Sequence, residues 1–412
     1  MPHTIVLGAG ITGVTTAHSL LKRGHQVTLV EKHRYPAMET SFANGGQLSA
    51  SNAEVWNQWQ TVWKGLTWVL KRDAPLLLNL SPSWHKYSWL FEFLNNISGY
   101  RRNTIATVDL ALRARTKLLE IADEYEIDFD LERRGILHVY YDRAGFERAG
   151  AVNNLLRQGG LDRWPVTNEE IRTIEPALGA EFYGGFYTPS DATGDIHKFT
   201  RSLAKICERQ GARFYFDRAV IDIEASGRSV KASASAVGAP HSTAEVLEAD
   251  NIVICAGVAS RTIGARLGDR VNIYPVKGYS ITVHLDDQDS QGGAPEVSLL
   301  DDRAKIVTSR LGLDRFRVAG TAEFNGTNKD IRTDRIKPLV DWTRTLFPSV
   351  ATARVVPWSG LRPMMPNMLP KIGRGKRPGV YYNTGHGHLG WTLSCATSEI
   401  VADLIVASGA RP

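Results

Sequence analysis

Three glycines spaced Gly8-x-Gly10-x-x-Gly13, with Glu31 ending the apolar run that follows, are groups able to hold a nucleotide. Gly8 permits a tight strand-to-helix turn, Gly10 lets backbone approach a pyrophosphate, and Gly13 lets the helix lie close on the strand. A helix N-terminus adds unpaired amides and a positive dipole end for the phosphates. Glu31 can accept hydrogen bonds from both ribose hydroxyls, and its charge would repel a 2′-phosphate. The spacing points to a bound adenine dinucleotide; a glycine-rich turn in an ordinary strand–helix–strand unit is the alternative.

A second cluster lies near the C-terminus, in Trp358-Ser359-Gly360-Leu361-Arg362-Pro363-Met364 and Asn383-Thr384-Gly385-His386-Gly387-His388-Leu389-Gly390-Trp391-Thr392. The latter reads as another strand-to-helix turn with free amides facing inward. Such amides would stabilise the negative charge that a reduced isoalloxazine carries around N1 and C2=O. Arg362, fixed between a glycine turn and Pro363, suits bidentate carboxylate binding, with a structural ion pair as the alternative. His386 and His388 have no carboxylate or cysteine at ligand spacing, so lining or packing is expected of them, and no metal.

These groups need elements to position them. A strand is expected at residues 5–7, a helix at 14–23 and a second strand at 26–30. The small, polar stretch Thr40-Ser41-Phe42-Ala43-Asn44-Gly45-Gly46-Gln47 suits backbone laid against a ligand. Residues 54–126 read as mostly helical, with an amphipathic stretch at 102–125. Six of the 10 tryptophans fall between Trp56 and Trp89, beside Lys64, Lys71, Arg72 and Lys86. That density fits either a buried helical cap or a membrane-interface patch. A β-like run at 136–141 precedes two helices, the second opening on Thr167-Asn168-Glu169-Glu170 with capping-box spacing. Thr193-Gly194-Asp195 should cap a helix over 196–210. Short strands follow, ending where Ile252-Val253-Ile254-Cys255 meets Ala256-Gly257, as a further strand of the nucleotide sheet would. Residues 273–325 alternate like a β-sheet, a helix is expected at 332–347, and a strand (380–383) and helix (391–407) close the chain.

At 412 residues, two domains are the natural expectation. With 43% hydrophobic and 22% charged residues, the composition is that of an ordinary globular protein. The formal charge of +6 (49 basic against 43 acidic) is scattered, which argues against nucleic acid. Cys207, Cys255 and Cys395 lie too far apart for a disulfide framework or zinc site and read as core. The first strand begins at once, leaving no room for a signal peptide, and no 18-residue apolar run is present. A cytoplasmic protein is therefore expected, with peripheral inner-membrane contact if the Trp-rich segment meets lipid.

Together these motifs resemble the flavin-dependent D-amino acid oxidase superfamily, and within it most closely the small-subunit type of bacterial D-amino acid dehydrogenase. Thr40-Ser41-Phe42-Ala43-Asn44, Thr193-Gly194-Asp195, Tyr274-Pro275-Val276-Lys277-Gly278-Tyr279-Ser280 and Leu300-Asp301 add to the likeness, which spans essentially the whole chain. The resemblance implies a Rossmann-like α/β domain that binds FAD non-covalently, interleaved with an α+β substrate domain whose sheet is capped by helices. The expected division is 1–54, 190–270 and 355–412 for FAD, and 55–189 and 271–354 for substrate and cap. It also implies that Arg362 holds the substrate carboxylate and that the backbone carbonyl of His388 receives the amine. Electrons would pass to a quinone or respiratory carrier. Tyr279 is the candidate for shaping the pocket, a buried strand tyrosine being the alternative.

The candidate cofactor contacts are Gly8, Gly10, Ile11, Thr12, Gly13, Glu31 and Lys32 at the first turn, and Ser41, Ala43, Asn44, Gly45, Gln47 and Leu48 in the loop. Val220, Ala256 and Gly257 follow, then Gly360, Arg362, Gly387, His388, Leu389, Gly390 and Thr392. Two departures fall near the expected active site. Pro363-Met364-Met365-Pro366-Asn367-Met368 replaces the family's Pro-Met-Thr-Pro-Asp-Gly, and Leu48-Ser49-Ala50-Ser51-Asn52 replaces Ser-Pro-Gly-Tyr after Gln47. The expected reaction is hydride transfer from Cα of a D-amino acid to flavin N5, with hydrolysis to a 2-oxo acid and ammonia. The rivals are the same chemistry on a cyclic or secondary amine (D-proline, hydroxy-D-proline, glycine, sarcosine), an electron-transfer component of a larger complex, and an NAD-dependent dehydrogenase.

Overall fold

The computed structural model describes residues 1–68, 76–227, 229–239 and 243–409. Lys71 and Arg72 lie outside them. Two large sheets organise these residues. The first has six strands in the order Lys371–Arg374, Val380–Thr384, Asn251–Ile254, His3–Leu7, Gln26–Val30 and Arg213–Tyr215. All neighbours are parallel except the first pair. Parallel strands need cover on both faces, and the apolar runs at 5–7, 27–30 and 252–254 are correspondingly buried. Helices Ile11–Leu21, Ile196–Arg209 and Gly390–Gly409 cover one face, and a three-stranded sheet (Arg218–Ser226, Ser229–Ala236, Glu245–Ala249) covers the other. Asp195 caps its helix as the sequence implies, accepting from the His197 and Lys198 amides. The capping box at Thr167 and Glu170 also forms.

The second sheet contains nine strands, with Tyr274–His284 between Val355–Met364 and Arg315–Phe324. Helix Thr333–Leu346 packs on one face. Two expectations are corrected here. Residues 355–364, expected from sequence in the FAD domain, pair along their full length with Tyr274–His284 in the second sheet. Pro357, Gly360 and Pro363 hide that strand, and it tolerates them because it lies at the sheet edge. The region read as helical holds helices Trp59–Trp68, Trp84–Asn95 and Tyr100–Glu124, but also the strand Leu76–Leu78, parallel to Arg315–Phe324.

Among the described residues one helix, Gly387–Gly409, is long and apolar enough to cross a membrane (mean hydropathy 1.3), yet 67% of its apolar window is buried in the fold. It packs against the first helix and Tyr100–Glu124 as a core element.

Candidate functional site

A cavity of about 930 Å³ is lined by residues from both sheets. At its nucleotide end the three glycines serve different needs. Gly8 has φ +98°, and a Cβ there would lie 2.8 Å from the Cys255 carbonyl oxygen. A Cβ on Gly13 would meet the Gly8 carbonyl oxygen at 1.8 Å, so this glycine serves helix–strand packing and stays outside the cavity wall. Gly10 has an ordinary φ of −71°, and its Cβ would touch only Ser41 Oγ at 3.5 Å. No protein atom requires a glycine at Gly10, and the space beside it opens to the cavity. Ile11 N donates to Ser41 Oγ (3.1 Å), and Thr12 extends the same wall. Glu31 is fixed by the Ala9 amide on one oxygen (2.7 Å) and the His33 amide on the other (3.0 Å), leaving lone pairs for hydroxyl donors. Lys32 pairs with Glu39 at 2.7 Å. Burial opposes ionisation of Glu39, but Lys32, Lys329 and His33 together hold its carboxyl down at about 2. Val220, Ala256 and Gly257 complete this end.

The loop at 41–47 runs between the sheets, tied by its backbone to the second sheet. Ser280 Oγ donates to the Ala43 carbonyl (2.7 Å), Arg317 to that of Asn44 (3.0 Å) and Ser309 to that of Gly45 (2.6 Å). Gln47 Nε2 donates to Ser298 Oγ (2.7 Å) and the Leu299 carbonyl (3.0 Å). Leu48 is a correction: it is fully buried in the core beneath the first sheet and does not line the cavity. The short pairing of Gln47–Leu48 with Ala192–Thr193 fixes that orientation.

Arg362 stands at the other end. Register pairs it with Val276 and pairs Gly360 with Gly278, so its side chain crosses Gly278, where a Cβ would come within 2.5 Å of the guanidinium. The next strand bulges: Tyr279 pairs with Gly320 and Lys277 with Glu323, leaving Thr321 and Ala322 opposite Gly278. Thr321 adopts φ +61°, and its carbonyl accepts from Arg362 Nη1 at 3.0 Å. A strained residue at a bulge thus aims the carbonyl that anchors the guanidinium. Arg362 forms no ion pair among the described residues, and burial pulls it down to about 10, still charged near neutrality. An uncompensated buried cation on a cavity wall is a site for an anion.

The C-terminal turn meets the same cavity through Gly387, His388, Leu389, Gly390 and Thr392, and Gly360 adds to it from the neighbouring strand. Gly385 (φ +78°) and Gly387 (φ +61°) take the turn through backbone geometry that side chains resist. His388 Nε2 donates to the Asn52 carbonyl (3.2 Å), and its ring stacks on Trp56 (4.8 Å, 20°). Among the described residues its Nδ1 has no partner, nor have Thr321 Oγ1 and Trp391 Nε1 in the same wall. Burial lowers His388 to about 4 and His386, bonded to Thr397 Oγ1, to about 3, against an ordinary 6.5. Unfolded, both rings would take up protons below 6.5 that the folded protein refuses. Stability should therefore fall as pH drops from 6.5 toward 4, by about 1.4 kcal/mol per pH unit for each ring. Urea titrations across that window should show His386→Gln losing about one proton of slope relative to the parent; equal slopes would refute the assignment.

Tyr279 belongs to a strand along the cavity wall, but its side chain follows the buried-strand alternative. Residues paired across the strand place Arg362, Val276 and Gly278 on one face, and Tyr279 on the other. Its ring is 1% exposed in the core beneath helix Thr333–Leu346, and its hydroxyl donates to Glu323 (2.7 Å). Sequence reasoning also passed over Asn52, Glu54 and Trp56, which line the cavity while Ala53 and Val55 are buried. The period-two alternation of Asn52-Ala53-Glu54-Val55-Trp56 was the available signal, masked by the helical reading of the region.

Comparison with known proteins agrees with this geometry. Over 405 residues the chain is 64% identical to D-amino acid dehydrogenase 3 of Mesorhizobium japonicum, covering 98% of this chain and 97% of that protein. It is 42% identical to a D-amino acid dehydrogenase of Paramagnetospirillum magneticum, covering 97% and 94%. In fold it is similar to glycine oxidase from Bacillus cereus, with a TM-score of 0.74 at 22% identity over 99% of this chain and 96% of that one. The family model for FAD dependent oxidoreductases (DAO) matches residues 3–404. The glycine cradle, the fixed Glu31 carboxylate and the inward-facing C-terminal turn suit that cofactor, and the chain belongs to the DAO family of FAD dependent oxidoreductases.

Proposed function

We propose that this protein is a D-amino acid dehydrogenase that holds FAD non-covalently and deaminates its substrate oxidatively. The half-buried guanidinium of Arg362, without an ion-pair partner among the described residues, carries the reading, supported by the 64% identity to a named D-amino acid dehydrogenase. Arg362, anchored by the Thr321 carbonyl, binds the substrate carboxylate. The His388 backbone carbonyl receives the neutral amine, and the Trp56 ring and Asn52 carbonyl fix the turn that presents it. FAD, when bound, supplies the acceptor for the Cα hydride. Positioning and exclusion of water are then the protein's main contribution, and no strong base is required. The imino acid leaves and hydrolyses to a 2-oxo acid and ammonia. The direct test is anaerobic addition of D- and L-amino acids to purified yellow enzyme. Bleaching by D-isomers alone is expected; bleaching by neither, with flavin bound, refutes the reading.

We further propose a quinone or respiratory carrier as acceptor, reached at a membrane surface. Trp84, Tyr87, Phe91 and Leu94 form an exposed stripe on helix Trp84–Asn95, with Trp59 and Trp63 exposed on the preceding helix. The inner face of the same segment is filled by Trp89 and Phe93, as a buried helical cap requires. An apolar stripe outside an already filled core, beside Lys64, has the character of an interfacial surface. Trp84→Ser with Phe91→Ser should abolish flotation with anionic vesicles without lowering Tm. Undiminished flotation would remove the stripe from membrane contact.

A further inference from the structure

The cavity holds a carboxylate that the reaction above does not use. Glu54 lies between Asn52 and Trp56, the two residues that fix His388, so it belongs to the wall beside the reacting end. One of its oxygens, Oε1, accepts from the Tyr100 hydroxyl (2.6 Å) and from Gln58 Nε2 (2.8 Å). Oε2 accepts from no group among the described residues, and it is not closed off by protein. Two donors therefore aim the carboxylate and leave its second oxygen to the cavity.

Resting on the D-amino acid reading, we infer that Glu54 selects the substrate side chain, its free oxygen accepting a hydrogen bond from a neutral O–H or N–H donor. Arg362 has no ion-pair partner among the described residues, so Glu54 is not engaged by it. Glu54 lines the same cavity as Arg362 and the turn that presents the amine, with its free oxygen toward the space a substrate side chain would occupy. The class of substituent follows from charge. Lys64, Arg148 and Lys305 line the cavity with exposed side chains, and Lys64 and Lys305 both act on Glu54 or are acted on by it. Buried Arg163 lines the same wall and also feels Glu54. Those four cations, with Asp302 paired to Lys305, disfavour a cationic substituent. The lone pairs of Glu54 disfavour an anionic one. Burial raises the Glu54 carboxyl above its ordinary value. An apolar side chain would displace the remaining water and supply no donor in return, the arrangement by which a polar site rejects an analogue lacking its hydrogen bond. A hydroxyl or amide satisfies all three conditions.

The test compares size-matched pairs on the purified holoenzyme with an artificial electron acceptor: D-asparagine against D-leucine, and 4-hydroxy-D-proline against D-proline. D-Aspartate and D-lysine serve as the charged arms. A hydrogen bond to a charged acceptor corresponds to a kcat/KM ratio of about 10 to 150 in favour of the donor-bearing member. Glu54→Gln keeps an acceptor for Tyr100 but presents an NH2 at the free position, so the ratio should fall at least tenfold. Ratios near one in the unmodified enzyme, D-aspartate or D-lysine ahead of both pairs, or a ratio untouched by Glu54→Gln would each overturn the inference. The ratios in the unmodified enzyme need no variant, so poor folding of Glu54→Gln leaves the test decisive. Failure of every D-amino acid to bleach the flavin would instead sink the underlying function, whereas equal bleaching by D-leucine and D-asparagine removes only Glu54.

Discussion

Replacing Arg362 by leucine should raise the apparent KM for D-amino acids by about 30- to several-thousand-fold while the yellow flavin spectrum persists. The range corresponds to losing a buried charge-assisted contact, roughly 2–5 kcal/mol. The structure adds a second expectation that separates binding from scaffolding. Arg362 has no carboxylate partner among the described residues, and its guanidinium is held by the Thr321 carbonyl. A structural ion pair would leave an orphaned carboxylate behind when broken; here leucine removes an uncompensated buried charge. Tm of the substrate-free variant should therefore hold or rise. Gly278→Ala offers an independent route to the same defect, because its Cβ would meet the guanidinium at 2.5 Å without altering any charge. Both variants should bleach slowly at millimolar D-amino acid and keep their flavin. Near-normal turnover by Arg362→Leu would take this residue out of the site, and a large drop in Tm would make it structural.

The sequence disclosed the site most clearly where backbone geometry constrains residue type. The packing roles of Gly8 and Gly13 are legible because a left-handed turn and a close helix approach leave glycine as the fitting residue, although Gly13, expected as a cofactor contact, stands outside the cavity wall. The Asp195 cap and the Thr167 capping box are local hydrogen-bond patterns, legible without tertiary knowledge. The errors come from tertiary context. Tyr274–His284 is buried on both sides along most of its length, so no alternation of polar and apolar residues told which face Tyr279 occupies. The bulge at Thr321 and Ala322, which places the Arg362 anchor, has no sequence mark of its own. Leu48 sits beside contacts that do line the cavity, yet a two-residue pairing turns it into the core. Residues 355–364 read as part of the FAD domain, and the strand there goes unseen, because its prolines and glycine suit an edge and imitate a loop. Glu54 was passed over for the opposite reason. A single charged residue in a region read as helical looks like a solvated surface, and only the irregular, non-helical backbone at 53–57 turns it inward.

Gly10→Val should give folded, colourless protein, and this outcome separates ligand recognition from chain geometry. The three glycines of the first turn are usually considered together, but their surroundings differ. At Gly8 and Gly13 an added Cβ would collide with backbone carbonyls at 2.8 and 1.8 Å, so valine there should prevent the strand–helix unit from forming. At Gly10, φ is −71° and the nearest atom stands 3.5 Å away, ordinary van der Waals contact. The valine methyls can point only into the cavity, where a pyrophosphate would approach the amides of the helix N-terminus. β-branching costs a few tenths of a kcal/mol at a helix start, too little to unfold a domain. The expected result is a circular dichroism spectrum like the parent's, with flavin absorbance lost and not recovered on adding excess FAD. Gly13→Val, by contrast, should be insoluble. Normal flavin content in Gly10→Val would place the dinucleotide elsewhere and overturn the assignment of the N-terminal turn. Insolubility of Gly10→Val alongside soluble Gly13→Val would show that the packing argument is inverted.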